Sequence, residues 1–139
     1  MLHILRATTW KQTPMARILI CEDDALYREM TGGVLAARGH SVDLAADGHQ
    51  ATNAIRADRY DVIVTDLVMP GPDGLEIIRE VREKHGAVKV LAMSSGLGGV
   101  RDPLLVAASA LGADSVMQKP FRGKDFADQV EALLALPRD

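Results

Sequence analysis

The sequence predicts an α/β fold in which five parallel strands form one sheet with helices on both faces. Five short apolar runs alternate with five longer stretches in which apolar residues recur every three or four positions, as in amphipathic helices. Strands that alternate with helices pair in parallel through right-handed crossovers, which place helices on both faces. Of the two common orders for doubly wound sheets, 2-1-3-4-5 fits this strand count better than a six-stranded dinucleotide-binding fold.

The elements of the first half follow from their apolar patterns and their stop signals. Strand 1 is a continuous apolar run, as expected when both faces are covered, whereas strand 2 alternates like a strand near a sheet edge. Helix 1 is stopped by Arg38-Gly39, and its residues Tyr27 and Arg28 are interpreted as a partly exposed face. The predicted ranges are 17–21, 41–45 and 62–65 for strands 1 to 3, 26–37 for helix 1, and a start at Asp47-Gly48 for helix 2.

The second half continues the alternation. Asp73-Gly74 introduces helix 3, with Asp73 as its cap and Leu75, Ile78 and Val81 as its inner stripe. Strand 4 is predicted at residues 88–93, helix 4 at 104–111 and strand 5 at 115–118. An apolar stripe from 126 to 134 forms helix 5, which ends before Pro137.

Composition narrows the setting of the protein. With 139 residues, 47% apolar and 25% charged, the chain matches an average single globular domain. The lone Cys21 cannot form an internal disulfide, which is typical of a reducing compartment. The net charge of −3 gives no general attraction to nucleic acid or to anionic membranes. Since no apolar run has membrane-spanning or secretory character, we expect a cytoplasmic protein without nucleic-acid or membrane partners.

Polar side chains follow four of the predicted strands, at the edge where open parallel sheets bind ligands. Glu22-Asp23-Asp24 follows strand 1, Asp66 follows strand 3, Ser94-Ser95 follows strand 4, and Lys119-Pro120 follows strand 5. Clustered carboxylates repel one another unless a cation is bound, and oxygen ligands without cysteine or histidine favour Mg²⁺. A carboxylate nucleophile, Mg²⁺, a lysine and a hydroxyl together suit phosphoryl transfer.

Plain structural explanations exist for most of these residues. The acidic run at 22–24 could simply be favourable charge at a helix N-terminus. Ser94 and Ser95 could be ordinary loop hydroxyls, and Lys119 an exposed edge residue. Asp66 is harder to explain in this way, because a carboxylate at the exit of an apolar strand is costly without a charged partner.

Four segments together resemble the receiver domain of two-component response regulators. Their sequences are ILICEDD at 18–24, VIVTDLVMPGPDG at 62–74, LAMSS at 91–95 and KPF at 119–121. Each is a weak signal alone, but in this order and at predicted strand ends they are specific. The resemblance covers residues 15–136 and implies the flavodoxin-like (βα)5 receiver fold. Residues 1–14 are then a flexible N-terminal extension, and residues 137–139 a short tail.

The resemblance implies a metal-assisted phosphoacceptor. Asp66 would attack the phosphorus of a kinase phosphohistidine and become an aspartyl phosphate. Asp23 would bind Mg²⁺ directly and Glu22 through a water molecule. Asp66 itself and the backbone carbonyl of Val68 would supply further ligands.

It also implies roles for the residues after strands 4 and 5. The hydroxyl of Ser94 would donate to a phosphoryl oxygen and shift toward it on activation. Lys119 would pair with Asp66 before phosphorylation and with the phosphoryl group afterwards. The Lys119–Pro120 bond would be cis, a form that only X-Pro bonds adopt cheaply.

Three positions depart from the family pattern. Val116 stands where an aromatic residue is usual, so no rotating ring reports phosphorylation, and the signal would run through Ser94, the loop from Ser95 and Gly96, and helix 4. That loop is rich in glycine, and we expect it to become ordered on phosphorylation. Val68 and Gly96 offer no polar side chain to orient a hydrolytic water, which predicts slow self-dephosphorylation.

These inferences predict a stand-alone signalling protein rather than an enzyme. It would receive phosphate from a sensor histidine kinase or a histidine phosphotransfer protein. It would then dock on a partner through helix 4, strand 5 and helix 5, or pass phosphate along a relay. One alternative is a pseudo-receiver that binds partners without phosphorylation. Another is an aspartyl-nucleophile phosphatase, but such enzymes need a second acid where this chain has Val68.

Overall fold

The computed structural model describes residues 15–95 and 102–137, which form a five-stranded sheet with five helices. The proposed extension at 1–14, Gly96 with most of the glycine-rich loop, and the last two residues of the tail lie outside these ranges. Within them, no helix combines the length and apolar character needed to cross a bilayer. The elements are β1 (Arg17–Cys21), α1 (Ala25–Ala37), β2 (Ser41–Ala45), α2 (Gly48–Ala57), β3 (Val62–Asp66), α3 (Gly74–Lys84), β4 (Lys89–Ser94), α4 (Pro103–Leu111), β5 (Ser115–Gln118) and α5 (Gly123–Leu134).

All neighbouring strands of the sheet are parallel, and their order is β2-β1-β3-β4-β5, which confirms the prediction. The register aligns the strand ends that carry the predicted site. Thr65 of β3 pairs with Cys21 of β1, and Asp66 pairs with Met93 of β4. Ser94 pairs with Gln118 of β5. The carboxyl ends of four strands therefore meet at one edge of the sheet.

The sheet separates two hydrophobic cores. One contains Leu19, Ile63 and Val90 from the strands and packs against α2, α3 and α4. The other contains Ile18, Val64 and Leu91 and packs against α1 and α5. Successive strand residues point to opposite faces, so the continuous apolar runs of the central strands supply both cores.

Some element boundaries, and the buried stripe of one helix, differ slightly from the predicted ones. Strand β4 begins and ends one residue later than predicted, so that Ser94 belongs to the strand. Strand β3 likewise includes Asp66 as its last residue. On α3 the buried stripe consists of Ile77, Ile78 and Val81, whereas Leu75 is only partly buried. The last difference arises because adjacent positions 77 and 78 both fit a helical stripe, and only the packing of α3 shows which is buried.

The loop that follows β3 is held tightly by the start of α2. The backbone N–H of Gly48 donates to the carbonyl of Pro70 at 3.1 Å. A Cβ at Gly48 would overlap the carbonyl of Pro72, and one at Gly74 would overlap the carbonyl of Asp66. Asp73 caps α3 by accepting from Glu76 N, which confirms the sequence interpretation. Close packing at Gly48 and Gly74 therefore restrains the loop between Asp66 and α3.

Candidate functional site

Asp66 lies at the carboxyl end of β3, a strand whose five residues are all buried. Its residue surface is only 7% exposed. One carboxylate oxygen, Oδ1, accepts from the backbone N–H of Val68 at 3.2 Å. The other, Oδ2, accepts from Nζ of Lys119 at 2.9 Å. The carboxylate that the sequence singled out is therefore partnered by a cation and a backbone amide.

Lys119 connects β5 to the acidic residues of the site. Its Nζ donates to Oε1 of Glu22 as well as to Asp66. Its backbone N–H donates to the carbonyl of Ser94 at 2.8 Å, and the Lys119–Pro120 bond is cis. Burial favours the neutral amine, but the hydrogen bonds to Glu22 and Asp66 outweigh it, and the pKa of Lys119 is raised. The ammonium thus remains charged between two carboxylates.

The acidic residues that follow β1 differ in their burial and in their contacts. Glu22 is fully buried, and its Oε2 accepts from the backbone N–H of Asp24 at 3.1 Å. Burial is the main reason that the pKa of Glu22 is raised to about 7, despite the hydrogen bond from Lys119. Asp24 caps α1 by accepting from Leu26 N at 2.9 Å. The helix-terminus explanation of the run therefore holds for Asp24, whereas Glu22 belongs to the cluster around Asp66.

The carboxylates of this edge fit a divalent cation. Glu22, Asp23 and Asp66 each offer an oxygen, and these oxygens all lie within 4.8 Å of one another. Asp23 is exposed, which leaves a path from solvent to the group. Three ionised carboxylates carry more negative charge than the Lys119 ammonium that contacts two of them can balance, and Mg²⁺ would neutralise the excess. All of these ligand atoms are hard oxygens, which Mg²⁺ prefers.

Two residues of α1 take part in this site although the sequence interpretation left them on a partly exposed face. The ring of Tyr27 lies over Lys119, with 4.4 Å from Nζ to the ring centre. Arg28 donates from Nη1 to the carbonyl of Glu22 at 2.9 Å and to that of Asp23 at 3.3 Å. The sequence feature that could have indicated this role is their position in the first turn of α1, directly after the acidic run.

Ser94 is 1% exposed and ends β4, one residue beyond the register partner of Asp66. Its hydroxyl donates to Oδ2 of Asp102 at 2.5 Å. The sequence reasoning did not identify Asp102, which caps α4 and is itself only 5% exposed. An aspartate directly before Pro103 is a helix-start signal, but its contact with Ser94 follows only from the fold.

The remaining predicted positions differ in their exposure. The side chain of Val68 is 61% exposed beside Asp66. Val116 is partly buried and packs against the core on the α2–α3–α4 face. Ser95 is exposed, and Gly96 lies outside the described residues. The ligand role of the Val68 carbonyl stays a prediction.

Comparison with known proteins identifies what this chain is similar to. The family model of the response regulator receiver domain matches residues 18–131. The response regulator MprA of Mycolicibacterium vanbaalenii is 37% identical over 120 residues, which are 85% of this chain and 50% of that protein. MprA of Mycobacterium tuberculosis has the same identity and coverage. The chain thus spans about half the length of these curated relatives.

Solved structures show the same architecture. The chemotaxis response regulator CheY4 of Vibrio cholerae superposes with a TM-score of 0.78 at 26% identity, covering 86% of this chain and 98% of that one. The receiver domain of NtrX from Brucella abortus gives a TM-score of 0.79 at 25% identity, covering 86% and 99%. Both likenesses extend over nearly the whole of the solved chain.

Proposed function

The chain belongs to the family of response regulator receiver domains, and we propose that Asp66 is its phosphoacceptor. As a receiver it acts in two-component signalling, in which histidine kinases phosphorylate such domains. The observation that carries the proposal is the convergence on Asp66 of Lys119, Glu22 and Asp23, brought together from three strand ends. We further propose that the receiver extends over residues 15–136.

The proposed reaction is a direct phosphoryl transfer. An oxygen of Asp66 attacks the phosphorus of a phosphohistidine, the P–N bond breaks, and its electron pair stays on the imidazole nitrogen. The donor is a sensor histidine kinase or a histidine phosphotransfer protein. Asp66 is 7% exposed and both of its carboxylate oxygens accept hydrogen bonds, so the nucleophile is held in place for the transfer.

The other residues of the cluster position and neutralise charge. Lys119, held by Glu22 and Tyr27, pairs with Asp66 before transfer and with the phosphoryl oxygens afterwards. Glu22, Asp23, Asp66 and the carbonyl of Val68 would hold Mg²⁺. A bound Mg²⁺ would neutralise the negative charge on the phosphoryl oxygens.

The output of this receiver is the docking of a protein partner or the onward transfer of the phosphate. We propose the surface formed by α4, β5 and α5 for this docking. Strand β5 is an edge strand of the sheet with all four residues half-buried, and Val106 of α4 is 62% exposed. These features leave apolar surface available for a partner.

The test is intact-mass analysis after incubation with acetyl phosphate and Mg²⁺. We expect the mass of one added phosphoryl group in the wild type, its loss in Asp66→Asn, and its loss when the metal is chelated. Asp47→Asn is the control, because it makes the same carboxylate-to-amide change at a helix cap outside the cluster. Addition that persists in Asp66→Asn would contradict the assignment of the acceptor.

A protein that takes no phosphoryl group from acetyl phosphate or from a phosphorylated histidine kinase would refute the proposal. Binding of partners by such an unphosphorylated protein would then identify it as a pseudo-receiver. Hydrolysis of phosphate esters would instead indicate a phosphatase. Val68, two residues after Asp66, offers that chemistry no acid.

A further inference from the structure

We propose that Asp102 controls whether the Ser94 hydroxyl is available to a phosphoryl group on Asp66, an inference that rests on the proposed function. The hydroxyl donates to Oδ2 of Asp102 at 2.5 Å, and both residues are buried. This hydrogen bond is also the largest reason that the pKa of Asp102 is lowered. The carboxylate is therefore an ionised, strong acceptor for Ser94.

A serine hydroxyl has a single proton to donate. While Ser94 donates it to Asp102, the same proton cannot reach a phosphoryl oxygen at Asp66. Ser94 directly follows Met93, the register partner of Asp66, so its hydroxyl and the Asp66 carboxylate belong to the same edge of the sheet. Phosphorylation of Asp66 would therefore place a second anionic acceptor in competition with Asp102.

Asp102 also stabilises the beginning of α4. Its Oδ1 accepts from the backbone N–H of Leu104 at 2.9 Å, while Oδ2 accepts from Ser94. One carboxylate thus links the end of β4 to the first turn of α4. When Ser94 turns to the phosphoryl group, this buried carboxylate loses one of its donors, which is costly in a poorly solvated position.

The loss of this donor has two consequences. It opposes activation, because the free energy of the Ser94–Asp102 bond must be given up when the hydroxyl moves. It also transmits the phosphorylation state to α4, because the residue that loses its partner is the cap of that helix. Position 116 holds a valine, so this contact offers a route to α4 that does not depend on an aromatic ring.

The experiment measures the affinity for beryllium fluoride, an inert mimic of the phosphoryl group, in the presence of Mg²⁺. In Asp102→Asn the amide oxygen can still cap α4, while its NH2 donates to the Ser94 oxygen and frees the hydroxyl proton. We expect affinity to rise about tenfold, the size of one hydrogen bond to a charged group. Asp102→Ser, which retains a capping hydroxyl but is too short to hold Ser94, should change affinity in the same direction.

The double variant separates release of the hydroxyl from a simple change of charge. In a Ser94→Ala background, Asp102→Asn has no hydroxyl to release, so most of its gain should disappear. Asp47→Asn, at the cap of α2, should leave affinity unchanged. A gain of equal size in both backgrounds, or no gain in either Asp102 variant, would overturn the proposal.

Amide exchange at Leu104 gives a second readout. Beryllium fluoride should speed exchange of this amide in the wild type, because Asp102 loses its hold on Ser94, and should not do so in Ser94→Ala. If beryllium fluoride changed the exchange rate of Leu104 equally in the two proteins, the link to α4 would be contradicted. A wild type that binds no beryllium fluoride and takes no phosphoryl group would refute the proposed function itself, and this inference with it.

Discussion

The ammonium of Lys119 lies 4.4 Å from the centre of the Tyr27 ring. The same ring makes an edge contact with Phe121, with 5.5 Å between ring centres. Tyr27 therefore joins α1 both to Lys119 and to the segment that follows β5. Attraction between a cation and an aromatic face contributes about 0.5–2 kcal/mol, depending on exposure.

This contact predicts that the Tyr27 ring helps to hold Lys119 for phosphoryl transfer. Tyr27→Leu should slow phosphorylation by acetyl phosphate roughly two- to thirtyfold, since the lysine loses its aromatic neighbour. Tyr27→Phe keeps the ring and should retain a rate close to the wild type. The measurement is the initial rate at saturating Mg²⁺, and an unimpaired Tyr27→Leu protein would show that the ring has no such role.

The raised pKa of Glu22 predicts that Mg²⁺ binding depends on pH. Burial keeps this carboxyl protonated below its pKa of about 7, and a carboxylate must lose its proton to assist a metal ion. Mg²⁺ affinity should therefore weaken as the pH falls below 7, by at most about tenfold per pH unit for one proton. Calorimetric titrations across this range test the slope. Glu22→Gln, which has no proton to release here, should show a flatter dependence.

Close packing at Gly48 predicts that a methyl group there is destabilising. A Cβ would overlap the carbonyl of Pro72, so Gly48→Ala should cost about 1–3 kcal/mol of unfolding free energy. Gly33 is the matched control, because it also lies in a helix but has open space around a Cβ. Gly33→Ala should stabilise by about 0.5–1 kcal/mol through helix propensity. Urea unfolding of both variants decides this, and equal effects at the two sites would contradict the packing argument.

The exposed side chain of Val68 predicts a long-lived phosphoryl group. An apolar side chain beside Asp66 cannot orient an attacking water, so the aspartyl phosphate should decay over far longer than seconds in the purified protein. Val68→Asn supplies a polar group at the same place and should shorten the lifetime, without loss of stability at a position that is 61% exposed. The check is the loss of the added mass with time after removal of the donor. Decay of the wild type within seconds would refute the prediction.

The order of the strands and the proximity of Asp66 to Lys119 could be predicted from the sequence. The alternation of strands and helices is visible in local apolar patterns, and it implies a parallel sheet. A parallel sheet brings strand ends to one edge whatever the details of packing. Helix caps such as Asp73 were predictable for the same reason, since a cap acts within one turn of its own helix.

The contacts that the sequence did not reveal are those that depend on how separate elements meet. Tyr27 faces Lys119 because α1 packs near the segment after β5, and these residues are far apart along the chain. Asp102 holds Ser94 across a stretch of seven intervening positions with no periodic pattern. The choice between Leu75 and Ile77 on α3 likewise required the rotation of that helix about its axis.

The division of the interior into two cores bears on how this protein can evolve. The helix residues of the two cores lie on opposite faces of the sheet and share no side-chain cluster, so substitutions of those residues in one core should change the unfolding free energy independently of such substitutions in the other. The face packed against α1 and α5 can therefore diverge while the face that carries α4 is kept, and the reverse is equally open. Because the proposed docking surface takes α4 from one face and α5 from the other, a lineage could alter these two parts separately without rebuilding the chemistry at the edge of the sheet.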